Sequence, residues 1–145
     1  MRKTTLHISL LAFLLLSTTI VFGQSVSKTL VKSFNPTGAQ LAQLDLDGPV
    51  TMKVWDNKIL RVQMAVEITN ANEQTLKGLV QVGRYNLRST VENDQITITA
   101  PGLERDVEIN GRALDEKISY IVFLPKEMAA EQIGEAITAD ASDDF

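Results

Sequence analysis

Leu60-Arg61-Val62-Gln63-Met64-Ala65-Val66-Glu67-Ile68-Thr69 is the stretch that decides the fold class. Leu60, Val62, Met64, Val66 and Ile68 take every second position, with Arg61, Gln63, Ala65, Glu67 and Thr69 between them. Side chains of a strand point alternately to opposite faces, so the run predicts one dry face and one wet face. At about 3.3 Å per residue it spans roughly 30 Å, a long strand. One wet face is the pattern of an antiparallel sheet rather than of a parallel, doubly wound one.

The same period continues outward. Val50, Met52 and Val54 alternate with Thr51, Lys53 and Trp55, and Asp56-Asn57-Lys58 supplies turn chemistry, which predicts a hairpin with the 60–69 strand. Leu44 and Leu46 alternate with Gln43, Asp45 and Asp47, and Gly48-Pro49 breaks that strand. A first strand, Thr29 to Phe34, ends at the turn Asn35-Pro36-Thr37-Gly38. The period then changes. Asn70 followed by Glu73 reads as a helix cap with a reciprocating acid. Leu76, Leu79 and Val80 make one apolar stripe, and Gly83 stands where a C-terminal cap belongs, so a helix is expected over about 71–82. Alternation resumes from Arg84 to Val91, turns at Asn93-Asp94, and returns through Ile96, Ile98 and Ala100 to Pro101-Gly102. Val107 and Ile109 mark a short strand. Ile118, Tyr120, Val122 and Leu124 make the last one, and its other face (Ser119, Ile121, Phe123) is also largely apolar, as a covered central strand would be. The expected fold is mainly β with one short helix: an antiparallel sandwich or a β-solenoid-like opening module, with a two-layer α+β arrangement as the alternative.

The N-terminus pairs Met1-Arg2-Lys3 with an apolar stretch from Ile8 to Leu16, then Val21-Phe22-Gly23-Gln24. This is the layout of a cleaved secretory signal over residues 1–23, cut between Gly23 and Gln24. An uncleaved membrane anchor is the rival reading. No cysteine follows the apolar stretch, so the chain is not an acyl-cysteine lipoprotein, and no second stretch is long enough to span a bilayer. The expected location is periplasmic or secreted. Residues 24–125 suit one β-rich domain, with 126–145 as an acidic, weakly helical tail.

Cleavage removes Arg2, Lys3 and His7, the one histidine of the 145 residues; there is no cysteine. The mature chain can therefore form no Ser-His-Asp triad, no Cys-His pair, no His/Cys zinc site, no His-ligated haem and no disulfide. Its negative charge concentrates in the tail, where Lys126 stands against Glu127, Glu131, Glu135, Asp140, Asp143 and Asp144. A nearly balanced body with an acidic end argues against nucleic acid as a partner.

Leu44-Asp45-Leu46-Asp47-Gly48-Pro49-Val50-Thr51-Met52-Lys53-Val54-Trp55-Asp56, the strand that follows it, and Tyr120-Ile121-Val122-Phe123-Leu124-Pro125-Lys126 resemble the opening of the DUF4097 (head-GIN type) adhesin domains of bacterial envelope proteins. The resemblance covers about residues 28–126. It implies a β-rich envelope module, continued in that family by glycine- and asparagine-punctuated strands stacked as a solenoid. Met128 to Phe145 carries no such repeat. The resemblance implies no catalytic residues.

Several constellations have both a chemical and a structural reading. Gly78 and Gly83 have the spacing of a phosphate loop, but Arg84-Tyr85 replaces the required Lys-Ser/Thr, and helix capping is the better account. Asp45, Asp47 and Gly48 are a fragment of a calcium loop without its remaining ligands. Glu104, Asp106 and Glu108 share a strand face at about 6.6 Å steps and are the candidates for a carboxylate-dependent hydrolase; a solvated edge face is the alternative. Arg84 and Arg88 flank Asn86 and either hold an anion or pair with acids of a neighbouring strand. Trp55 at a strand end is either a ligand platform or a lid on the core. Ser25 and Lys28 have a serine-lysine spacing at a chain end and carry no weight. The function expected is an exported, non-catalytic, adhesin-like binding or assembly module with no cofactor and no metal, whose partner is a protein or a cell-surface component. An open sheet edge would allow self-association by strand pairing.

Overall fold

A computed structural model of the chain describes residues 25–133. The signal segment, the Gly23–Gln24 junction and residues 134–145 lie outside the described residues. The strands are β1 (Ser25–Phe34), β2 (Leu41–Asp45), β3 (Val50–Trp55) and β4 (Leu60–Thr69), then the helix α1 (Glu73–Gln81), then β5 (Arg88–Glu92), β6 (Gln95–Thr99), β7 (Glu108–Ile109), β8 (Arg112–Ala113), β9 (Glu116–Pro125) and β10 (Ala129–Ile133). The fold is mainly β with one short helix, as the alternation requires. One four-stranded sheet has the order β1-β4-β9-β3, a second has β10-β2-β6-β5, and β7-β8 is a separate hairpin.

The apolar row of β4 holds the two sheets together. Leu60, Val62, Met64, Val66 and Ile68 are each at most 1% exposed. They share one core with Tyr120 and Val122 of β9 and with Ala42, Leu44, Ile96 and Ile98 of the second sheet. Full burial of such a side chain contributes about 1.5–3 kcal/mol, so this row is the main reason the sheets stay face to face.

Pairing departs from expectation in two respects. β3 and β4 are consecutive but are not neighbours: β9 lies between them, antiparallel to β4 and parallel to β3. β4 is satisfied on one side by all ten residues of β1 and on the other by β9. These long strands match its length, which the six-residue β3 does not. The hairpin expected across Asp56-Asn57-Lys58 is therefore an arch, closed by Trp55 Nε1 donating to Ile59 O at 3.0 Å. In the second sheet β2 runs parallel to both β6 and β10, so the sheets are mixed rather than purely antiparallel. β9 is central as expected, but its outer face is only half covered at Ile121 and Phe123.

The helix begins two residues later than the Asn70 cap would place it. Asn70 sits at φ 58 in a tight turn. Asn72 is the cap instead, its Oδ1 accepting from Thr75 N at 2.8 Å. Gly83 ends the helix as read, at φ 80. Its N–H donates to Val80 O at 3.1 Å and that of Arg84 to Leu79 O at 3.1 Å, which satisfies two carbonyls of the last turn. Those bonds, with Asn86 N donating to Gly83 O, occupy the backbone of 83–86, so the next strand starts at Arg88 rather than at Arg84. Asn93-Asp94, both at positive φ, close the expected β5–β6 hairpin.

The tail requires a further correction. The weak helix expected from 126 to 138 is absent where the chain is described: Ala129–Ile133 is a strand paired along β2. Alanine, glutamate and glutamine favour helices, but a parallel edge offering five partners overrides that preference.

Candidate functional site

Arg84 is placed by the helix cap that precedes it. The Gly83 turn swings the chain under the 100–105 loop, and Arg84 becomes the one buried charged side chain among the described residues, at 9% exposure. Its Nε donates to Glu116 Oε1 at 3.1 Å and to Oε2 at 3.2 Å, and its Nη2 also meets Oε1. Nη1 donates to Gly102 O at 3.2 Å and to Arg105 O at 2.9 Å. Tyr85 donates its hydroxyl to Glu116 Oε2 at 2.9 Å. One planar guanidinium thus ties the end of α1, the loop after β6 and the start of β9. The Glu116 carboxylate holds the Arg84 pKa above its ordinary value. Burial, and then donation to Glu116, push the Tyr85 hydroxyl up.

Arg84 therefore pairs with an acid, as one of its two readings has it, but the acid is 32 residues away. Arg88 does not join it: it is exposed and has no ion pair among the described residues. Both line an open cleft of about 360 Å³ with Asn86, Gly102, Arg105 and Val107. Of the 104–108 run, Arg105 and Val107 face this cleft, while Glu104, Asp106 and Glu108 are exposed and line none of it. Among the described residues no group of three acids is gathered as a metal site. Asp45 and Asp47 are exposed around the end of β2. The Glu116 partnership was missed because nothing local announces it; its one trace is an acid opening a strand whose next members are apolar.

Trp55 does not close the core. It stands on the outer face of the first sheet, its ring 5.4 Å from that of Phe123, with the Arg61 guanidinium 4.7 Å from its centroid. Lys53 reaches over the Phe123 ring on the same face. The inner face of β3 is the less usual feature. Met52 and Val54 point to the core side, in register with buried Val122 and Leu124, yet are 40% and 64% exposed. They are bare because β3 is the last strand of its sheet among the described residues and β10 the last of the other.

The corners fix both edges at one end of the sandwich. β2 turns into β3 through Leu46–Pro49, and β9 turns into β10 through Lys126–Met128. Gln132 Nε2 donates to Leu46 O and to Gly48 O, each at 3.1 Å, locking the first corner. Lys126 Nζ lies 3.3 Å from Asp56 Oδ2 beside the second, an exposed pair that contributes little. Among the described residues the arrangement leaves two backbone edges unpaired and apolar side chains uncovered, a surface of the kind that accepts strands.

Tyr120 is 1% exposed and its hydroxyl has no hydrogen-bond partner among the described residues. Burial, then the charges of Asp47 and Glu116, raise its pKa. Replacing Tyr120 by phenylalanine removes an unsatisfied polar atom and is expected to change stability by less than about 1 kcal/mol, or to raise it. Both tyrosines keep their protons above the ordinary value of 10.0 when folded and lose them near it when unfolded. Above that pH the unfolded chain binds fewer protons, so stability falls as pH rises, and it is fully retained below. Tyr120→Phe should lessen this alkaline loss; urea unfolding at neutral pH and above pH 10 checks both statements.

No protein-family model matches the chain, that of the DUF4097 domains included, and no curated protein matches it. Among solved structures, one described as a "putative cell adhesion protein" from Clostridium sporogenes is similar, at 18% identity and a TM-score of 0.39. The match covers 74% of this chain and 46% of that one, so the chain spans less than half the length of its structural neighbour.

Proposed function

We propose that the chain is an exported, non-catalytic binding or assembly module of the bacterial envelope, adhesin-like in that it works by attachment, and that it engages its partner through strand edges. The observation that carries this reading is the open end: β3 and β10 are each the last strand of their sheet among the described residues, each is tied to the opposite sheet by a short corner, and Met52 and Val54 on the inner face of β3 are bare. Strand addition uses such edges, with main-chain bonds for affinity and alternate side chains for selectivity. Export rests on the signal read over residues 1–23.

Two measurements test this. The chain recovered from the envelope fraction should begin at Gln24; an unprocessed chain in the cytoplasm would sink the export half. Amides of Val50–Trp55 that point away from β9 should exchange with solvent quickly in the isolated protein and slow in its assembled form. Protection already complete in the isolated monomer would remove the edge as a binding surface.

A further inference from the structure

Charge is distributed unevenly over the two edges of the open end. The β3 edge carries Lys53, exposed and without an ion pair among the described residues, and Lys58 follows it. The β10 edge carries Glu131, exposed, with Glu127 before it. Glu131 Oε1 accepts from Gln43 Nε2 at 2.7 Å, which leaves its other oxygen available.

Register gives the relative heights of these residues. Trp55 lies beside Pro125, and Ala129 follows Pro125 across a three-residue corner. Ile133 lies beside Asp45, and Val50 follows Asp45 across a four-residue corner. The two edges therefore run in opposite directions over the same span. Lys53, two residues before the end of β3, stands level with Glu131, two residues after the start of β10, to within about one residue. Both side chains are on outer faces: Lys53 is in register with Phe123, and Glu131 is offset by one position from the inward-facing Ala42 and Leu44 row.

From this geometry we propose that the open end is self-complementary and takes a second copy of this chain, an inference that rests on the strand-edge reading above. A two-fold axis along the strands, at the open end, places β3 of one protomer antiparallel to β10 of its partner, and the reverse. Each sheet continues into the opposite sheet of the other copy. The two cores merge over Met52 and Val54, and Lys53 stands beside Glu131 of the partner subunit twice over, once in each junction. The interface is isologous, so it closes at two copies and builds no fibre. Lysine on a bare edge deters indiscriminate pairing; here a matching glutamate makes one pairing acceptable.

Sedimentation of the full mature chain from micromolar to millimolar concentration reads the proposal. A monomer–dimer equilibrium is expected. Lys53→Glu and Glu131→Lys should each weaken it about tenfold, because two attractive cross-strand pairs become two repulsive ones. The double variant K53E/E131K should restore it. Both positions are exposed, so the unfolding midpoint of each variant should match the parent, which separates lost association from lost fold. A dimer that the double variant does not restore overturns the proposed pairing. A monomer at every concentration whose β3 and β10 amides exchange quickly overturns the second copy but leaves the strand-edge reading standing. A monomer in which those amides are protected has its end covered by another segment of the same chain, and both readings fall.

Discussion

Replacing Glu116 by alanine should lower the stability of the domain by about 3–5 kcal/mol, the usual result of removing one partner from a buried ion pair. Both side chains are withdrawn from solvent, at 8% for Arg84 and 13% for Glu116. The loss exceeds what the contact itself contributes. Arg84 cannot give up its proton, so its charge would remain buried with only Gly102 O and Arg105 O as acceptors. Tyr85 would lose its acceptor in the same step. Urea unfolding at neutral pH measures the loss. The double variant R84M/E116L separates the causes: if the cost is the stranded charge, it should be markedly more stable than Glu116→Ala alone. Equal stability of the two would show that the ion pair itself carries the energy.

Gly102→Ala should cost about 3 kcal/mol, near the top of what overpacking ordinarily does. A Cβ there would stand 2.2 Å from Arg84 O, 2.8 Å from Arg84 C and 3.0 Å from Arg84 Cα, all backbone atoms that no rotamer change can move. The loop must retreat, and its retreat pulls two carbonyls away from the buried guanidinium. The same exchange at Gly78, where a Cβ meets nothing within 4 Å, is the control and should raise stability by about 1 kcal/mol. Thermal unfolding of the two variants side by side checks the contrast.

How much of this was legible in the sequence depended on which force sets each feature. Rows such as Leu60 to Ile68 and Tyr120 to Leu124 were legible because burial imposes its period on the residues directly. Turns such as Asn93-Asp94 and the cap at Gly83 were legible because few residue types tolerate positive φ. Strand neighbours were not. Period 2 says which face a residue takes and nothing about which strand lies beside it, so the insertion of β9 between β3 and β4 left no local trace. β10 was read as a helix because its composition favours one and its partner edge lies 88 positions away. Among the site residues, Arg84 was singled out, but Glu116 was not. The acids singled out, Glu104 and Asp106 on the loop before β7 and Glu108 at its start, are the exposed members of a run whose alternate residues Arg105 and Val107 face the cleft.

The place of β9 and β10 in the sheets also dictates an order of events. β2 acquires its neighbours from β6 and β10, and β3 acquires its single neighbour from β9, so neither early strand can be completed until the last described residues are present. Pairings this distant are slow to form, since loop-closure entropy must be met before any contact repays it. Until residues 116–133 arrive, the Leu60–Ile68 row and the Ala42–Leu44 row have no complete shelter. A chain wired in this way keeps its apolar rows open and prone to aggregation until its last described strands have been made.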